Sequence, residues 1–158
     1  MHGISAKSSP VILIVTSFVL ILTIGLIAWG YWIPQQRNGL FIISSLMSVV
    51  AIGCYLRAPI GYEINSIGAL IVKYRLGSRV FQKVREYHHM ANPLSSFTIR
   101  LWGNGGLFAI TGLFWNRPYG RFHAYITNQK KLVMVELQDG KKVIISPINA
   151  EEWNKSAG

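Results

Sequence analysis

The sequence predicts an α+β membrane protein, with a two-helix transmembrane hairpin ahead of a small strand-rich domain that ends in a helix. Three observations predict it. Val11 to Ile33 carries no charged residue. Leu40 to Leu56 carries none either. Beyond Pro59 the apolar residues fall into short runs separated by Gly, Ser and Asn. A helix rises 1.5 Å per residue, so about 20 apolar residues cross a hydrocarbon core roughly 30 Å thick.

The first run follows Ser8-Ser9-Pro10, and serine caps helix N-termini while proline suits the first helical turn. It ends at Pro34, which cannot continue a helix. Trp29, Tyr31 and Trp32 gather at that end, where amphipathic rings favour the headgroup region. The polar members Thr16, Ser17 and Thr23 can bond back to helix carbonyls. A cleaved signal peptide has a shorter apolar core and a small-residue cleavage site, neither of which fits here.

Pro34 to Gly39 is a tight polar turn, and the second run then returns the chain. Two apolar helices so joined must be antiparallel neighbours. Ser44, Ser48 and Ala51 share a helical face and, with Gly25 on the first helix, would let the backbones approach closely. The division is a tail and hairpin over residues 1–59, with spans 11–33 and 40–56, and a domain over 60–158.

Charge sets the expected orientation. The chain has 16 Lys and Arg against 6 Asp and Glu, a net charge of +10. Only Lys7 and Arg37 among the cations precede Arg57, and all the acids follow it. Positive residues stay on the cytoplasmic side, which places both termini there and the Arg37 loop outside. The expected location is the cell (inner or plasma) membrane, crossed twice. A basic domain so tethered faces the anionic leaflet rather than nucleic acid.

The domain reads as about seven short strands, of which the runs from Tyr62 to Val84 form an antiparallel meander. Tyr62 to Ile64 alternates, and Ala69 to Tyr74 and Val80 to Val84 are strand-like with turns between them. Phe122 to Ile126, Leu132 to Leu137 and Lys142 to Ile145 follow. Asp139-Gly140 between the last two is the strongest short hairpin signal. Asn149 with Glu152 three residues on predicts a terminal helix with acids at its positive end. Trp102 to Pro118 is the odd stretch, rich in glycine yet strongly apolar. Its Leu107, Phe108, Ile110, Leu113, Phe114 and Trp115 are the candidate contacts to core, hairpin, lipid or partner.

Signals for chemistry are weak. Cys54 is the only cysteine, so an intramolecular disulfide or a Cys-based zinc site is excluded. His88 and His89 are adjacent, and successive strand residues face opposite ways. Gly103 to Gly106 lacks the Gly-Lys-Ser/Thr ending of a phosphate loop. Neither apolar run holds an ionisable group apart from Cys54 and tyrosines, where transporters keep their functional charges. No catalytic residue, cofactor or metal is expected. Arg79, Lys83 and Arg85 are the candidate anionic contact, since alternate strand positions share a face.

Gly105-Gly106-Leu107-Phe108, Gly112 to Asn116, Gly120-Arg121-Phe122 and the stretch Asp139 to Pro147 ahead of an acidic helix start resemble bacterial pleckstrin-homology (PH)-like membrane proteins. The resemblance covers about Gly61 to Lys155. It implies a seven-stranded, strongly bent sheet or partly open barrel, capped by the C-terminal helix. Eukaryotic PH domains often bind phosphoinositides through basic residues in the first strand loop. Asn65 to Gly68 at that place has no Lys or Arg, which argues against such a site there.

The expected function is therefore a non-enzymatic membrane protein presenting a protein- or peptide-binding module at the cytoplasmic face. Its partner would be another protein or a second copy of the chain. The alternatives are an anionic-lipid-binding module, or an accessory subunit of a membrane transport or enzyme complex.

Overall fold

In the computed structural model, which describes residues 4–5, 9–33, 35, 37–90, 97–130 and 132–148, the apolar runs form α1 (Pro10–Trp32) and α2 (Arg37–Leu56). Ser9 caps α1: its hydroxyl accepts from the Ile12 amide at 3.5 Å. Thr16, Thr23 and Gly30 are the buried positions two turns apart along α1, beside Ile12 near its start. Ser44 and Ala51 are their buried counterparts on α2. The hydroxyls of Thr23 and Ser48 donate to Val19 and Ser44 carbonyls at 2.8 Å, so the helices satisfy their own polar groups.

Close approach occurs at Gly30 rather than Gly25. A Cβ on Gly30 would touch the Phe41 ring, whereas nothing lies near Gly25. Tyr31 meets Phe41 edge to face at 5.6 Å, closing the turn end. Both helices are long and apolar enough to cross a membrane, and their outward side chains, such as Phe18, Ile24, Leu46 and Val49, are exposed.

Among the described residues the domain has eight strands, one more than expected: β2 (Pro59–Ile64), β3 (Ala69–Tyr74), β4 (Ser78–Met90), β5 (Thr98–Gly105), β6 (Ile110–Asn116), β7 (Gly120–Ile126), β8 (Leu132–Leu137) and β9 (Lys142–Ile145). A two-residue strand from the tail, β1 (Ile4–Ser5), pairs with β2. The order is β1-β2-β3-β4-β8-β9-β7-β6-β5. All pairings are antiparallel except β7 with β9.

The meander expected over Tyr62 to Val84 forms as β2–β4. Two three-stranded meanders, β2–β4 and β5–β7, are joined by the β8–β9 hairpin inserted between them. The Trp102–Pro118 stretch supplies much of β5 and β6. The predicted helix at Asn149 lies outside the described residues.

The β8–β9 turn forms at Asp139-Gly140: Gly140 has φ 76°, and the Asp139 carboxylate accepts from the Lys141 amide at 3.1 Å. β4 is the corner of the sheet. Its first part pairs with β3 and its second with β8, with a register shift between Val84 and Glu86. The sheet thereby folds over itself, and Tyr62 on β2 donates to the Tyr125 carbonyl on β7 at 2.6 Å.

The core lies on both faces of the central strands. Leu70, Val72, Val133, Val143 and Ile145 form one cluster around Tyr62. Phe114, Phe122, Ala124, Ile126 and Ile144 belong to the other.

Candidate functional site

α2 ends at Leu56 and β2 begins at Pro59, so only Arg57-Ala58 separate hairpin from domain. Further ties lock that junction. The Ser9 amide donates to the Thr127 carbonyl at 2.7 Å. The β5–β6 tip reaches α1, where the Phe108 amide donates to Thr16 Oγ1 at 3.0 Å. The Phe108 ring meets Tyr55 edge to face at 5.2 Å. Arg75 lies 4.0 Å above the Tyr55 ring and donates to its carbonyl at 3.3 Å.

The tip is shaped by Asn104, whose Oδ1 accepts from the Gly106 and Leu107 amides and whose Nδ2 donates to the Leu107 carbonyl. Phe108 has φ 63°, a left-handed conformation rare for a large side chain. The Thr16 bond and Tyr55 packing hold it there.

Between α2 and the β5–β6 hairpin lies a cleft of two adjoining cavities. The lower, about 580 Å³, is bounded by Val50, Gly53 and Cys54 of α2 and by Arg57, Arg100 and Trp102. The upper, about 440 Å³, is bounded by Tyr74, Ser78, Arg79 and Tyr125 and shares Arg57 and Trp102 with the lower. Their common floor includes Gly103, which faces Gly112 across the ladder. Both have positive φ, and a Cβ on either would overlap the other strand's backbone. Only glycine fits here, and the floor stays bare of side chains.

The two cavities carry Arg57, Arg79 and Arg100 in their walls and, among the described residues, no carboxylate. Among the described residues, none of the three forms an ion pair with an acid. Arg79 donates to the Tyr125 hydroxyl at 3.0 Å. Burial, with Tyr125 next, pushes the Tyr74 phenol up, so it stays a neutral donor. Tyr62, deeper, is pushed up to about 12 by burial.

The residues singled out from the sequence are dispersed by the fold. Phe108 packs on the hairpin. Leu107 lines the lower cavity. Ile110 and Phe114 are core residues. Leu113 is half-buried opposite Trp102, while Trp115 is partly exposed opposite Ile99. Arg79 enters the cleft, but Lys83 and Arg85 are exposed further along β4, with Arg85 4.0 Å from Glu86. The sequence reading missed Arg100, Trp102 and Tyr125. Arg57 carried a signal, as the first cation after an apolar run. Among the described residues no three His, Cys, Asp or Glu side chains gather as a metal site needs.

A second surface is β5 itself. It ends the strand order and, among the described residues, pairs with β6 alone. Ile99, Leu101 and Trp102 on it are 41%, 46% and 80% exposed. An apolar strand edge of this kind offers a row of unpaired backbone groups to another chain.

Two apolar helices feeding directly into a sheet that folds over its own core, with the cleft at their joint, define a helix-anchored, bent-sheet module of α+β class. Residues 62–157 match the bacterial PH domain family, and the chain belongs to it. That span coincides with the stretch that carries the sequence resemblance. No curated protein and no solved structure matches the chain.

Proposed function

We propose that the protein is a non-enzymatic integral membrane protein whose hairpin crosses the cell (inner or plasma) membrane with both termini in the cytoplasm. The PH domain is thereby held flush against the cytoplasmic face, and the β5 edge binds an extended segment of a partner protein. The open, apolar β5 strand carries this reading, because main-chain pairing supplies affinity and alternate side-chain sites supply specificity. Arg57, Lys73 and Arg75 at the domain end of the hairpin, against Arg37 in its loop, support the orientation. The surplus of basic over acidic residues favours a partner segment carrying acidic side chains.

The test is photocrosslinking in native membranes from Leu101, with Lys83 on β4 as the control position. Adducts from Leu101 should map by mass spectrometry to one acidic segment of another protein. They should weaken when Ile99→Asp places a negative charge on the strand against an acidic segment. Equal adducts from Lys83, or adducts only to a second copy of this chain, overturn the reading.

A further inference from the structure

The cleft at the junction has two arginines lining each of its parts, and its lower part runs against a helix of membrane-spanning length. Its upper part is lined by Arg57, by Arg79, which donates to the Tyr125 hydroxyl at 3.0 Å, and by Tyr74 and Ser78. Its lower part continues past Arg100 to Val50 and Gly53 on α2. Gly53 has nothing within 4 Å of a Cβ position, so that side of α2 is open. Arg100 has room because Gly105 beside its guanidinium carries no side chain. Cavities of about 300–1,000 Å³ are the usual size for small-ligand sites, and both lie within that range.

Charge without a counter-charge is the decisive feature. Arg57 lines both cavities, Arg100 the lower and Arg79 the upper, and among the described residues no carboxylate lines either. Guanidinium groups take phosphate oxygens by paired, charge-assisted hydrogen bonds. Arg57 closes the end of α2, so the phosphate position falls at the end of the apolar run, where a lipid headgroup sits when the helix spans a bilayer.

We infer that this cleft binds one anionic phospholipid, its phosphate between Arg57, Arg79 and Arg100 and one acyl chain along Val50 and Gly53 of α2. The site is distinct from the strand loop Asn65 to Gly68, and it uses Arg100 and Trp102 of β5 but neither Ile99 nor Leu101. The inference rests on the membrane-spanning part of the proposed function and is independent of the β5 partner. A lipid so held would join hairpin to domain on the side that the Phe108 contacts leave open.

The experiment is native mass spectrometry of the full chain in detergent, titrated with phosphatidylglycerol or with phosphatidylcholine of the same acyl chains. One phosphatidylglycerol per chain should be retained at a concentration about tenfold below that needed for phosphatidylcholine. The double variant Arg57→Gln/Arg100→Gln should lose about tenfold in retention, as expected for lost charge-assisted contacts. Gly53→Leu fills the lower cavity at a position with free space and improves helix propensity, so it should block retention without unfolding. Lys83→Gln/Arg85→Gln should retain lipid as wild type does.

Equal retention of the two lipids, or an unaffected Gly53→Leu, overturns the inference. Displacement of the lipid by an equal concentration of inorganic phosphate identifies free phosphate as the ligand and also overturns it. An alkaline wash of native membranes separates the two failures. A chain that leaves the membrane refutes the spanning reading, whereas a chain that stays but shows no lipid selectivity refutes the inference alone.

Discussion

The two meanders of the sheet have the same local design and opposite uses. Each has three antiparallel strands, and each flanks the β8–β9 hairpin. β2–β4 follows α2 almost directly, its outer edge is covered by β1, and its Tyr62, Leu70 and Val72 are fully buried. β5–β7 buries Phe114 and Phe122 on its inner strands, yet its outer strand β5 leaves Ile99, Leu101 and Trp102 exposed. The difference teaches that apolar strand residues alone do not mark a core. The first meander has its edge covered by β1 and the second, among the described residues, has nothing paired outside β5, and that difference separates the buried apolar strand residues from the exposed ones.

Paired substitutions break this comparison most sharply. Leu70→Ala removes a buried side chain from the first cluster and should cost about 2–5 kcal/mol, through lost burial and the cavity left behind. Leu101→Ala on the open edge should stay within about 0.5 kcal/mol. Thermal unfolding of the full chain in detergent reads both. A large loss at Leu101 would show that the β5 side chains belong to the core after all.

The next effect is smaller and tests why the second meander is rich in glycine. Gly112→Ala places a Cβ against the Trp102 carbonyl in a backbone conformation that L side chains rarely adopt. It should cost about 1–3 kcal/mol. Gly106→Ala serves as the comparison: its φ is also positive, but nothing lies within 4 Å of the added carbon. If both substitutions cost the same, backbone strain is the whole reason for glycine, and the close approach of β5 to β6 contributes nothing.

How much of this was legible depends on sequence distance. The helical hairpin could be read because its signals are local: uncharged runs, a capping Ser9 and a stop at Pro34. The Asp139-Gly140 turn could be read for the same reason. The parallel β7–β9 pairing could not, because the strands on either side carry the same alternating pattern whichever neighbour they take. Trp102 to Pro118 read as an anomalous loop because the glycines that break strand propensity are there to let two backbones cross. The arginine cleft was least legible: Arg57, Arg79 and Arg100 are far apart in the chain, and the fold sets them around two adjoining cavities.

The smallest effect probes the seam between the meanders. His123 on β7 lies 6.3 Å from the Phe81 ring on β4. Burial, then the cations Arg79 and Lys141, hold its imidazole below the ordinary value, which is about 6.5. The unfolded chain therefore takes up a proton at higher pH than the folded chain does. Stability from this group is complete above about pH 6.5 and declines as pH falls below it, because protonation adds a cation beside two others. Unfolding midpoints at pH 7.5 and 5.5 should differ more in wild type than in His123→Asn, which cannot take up the proton. An equal pH difference in the two proteins would place the titrating group elsewhere and leave the seam electrostatically neutral. A larger difference in wild type would mean that the two meanders are held together partly by keeping His123 uncharged between them.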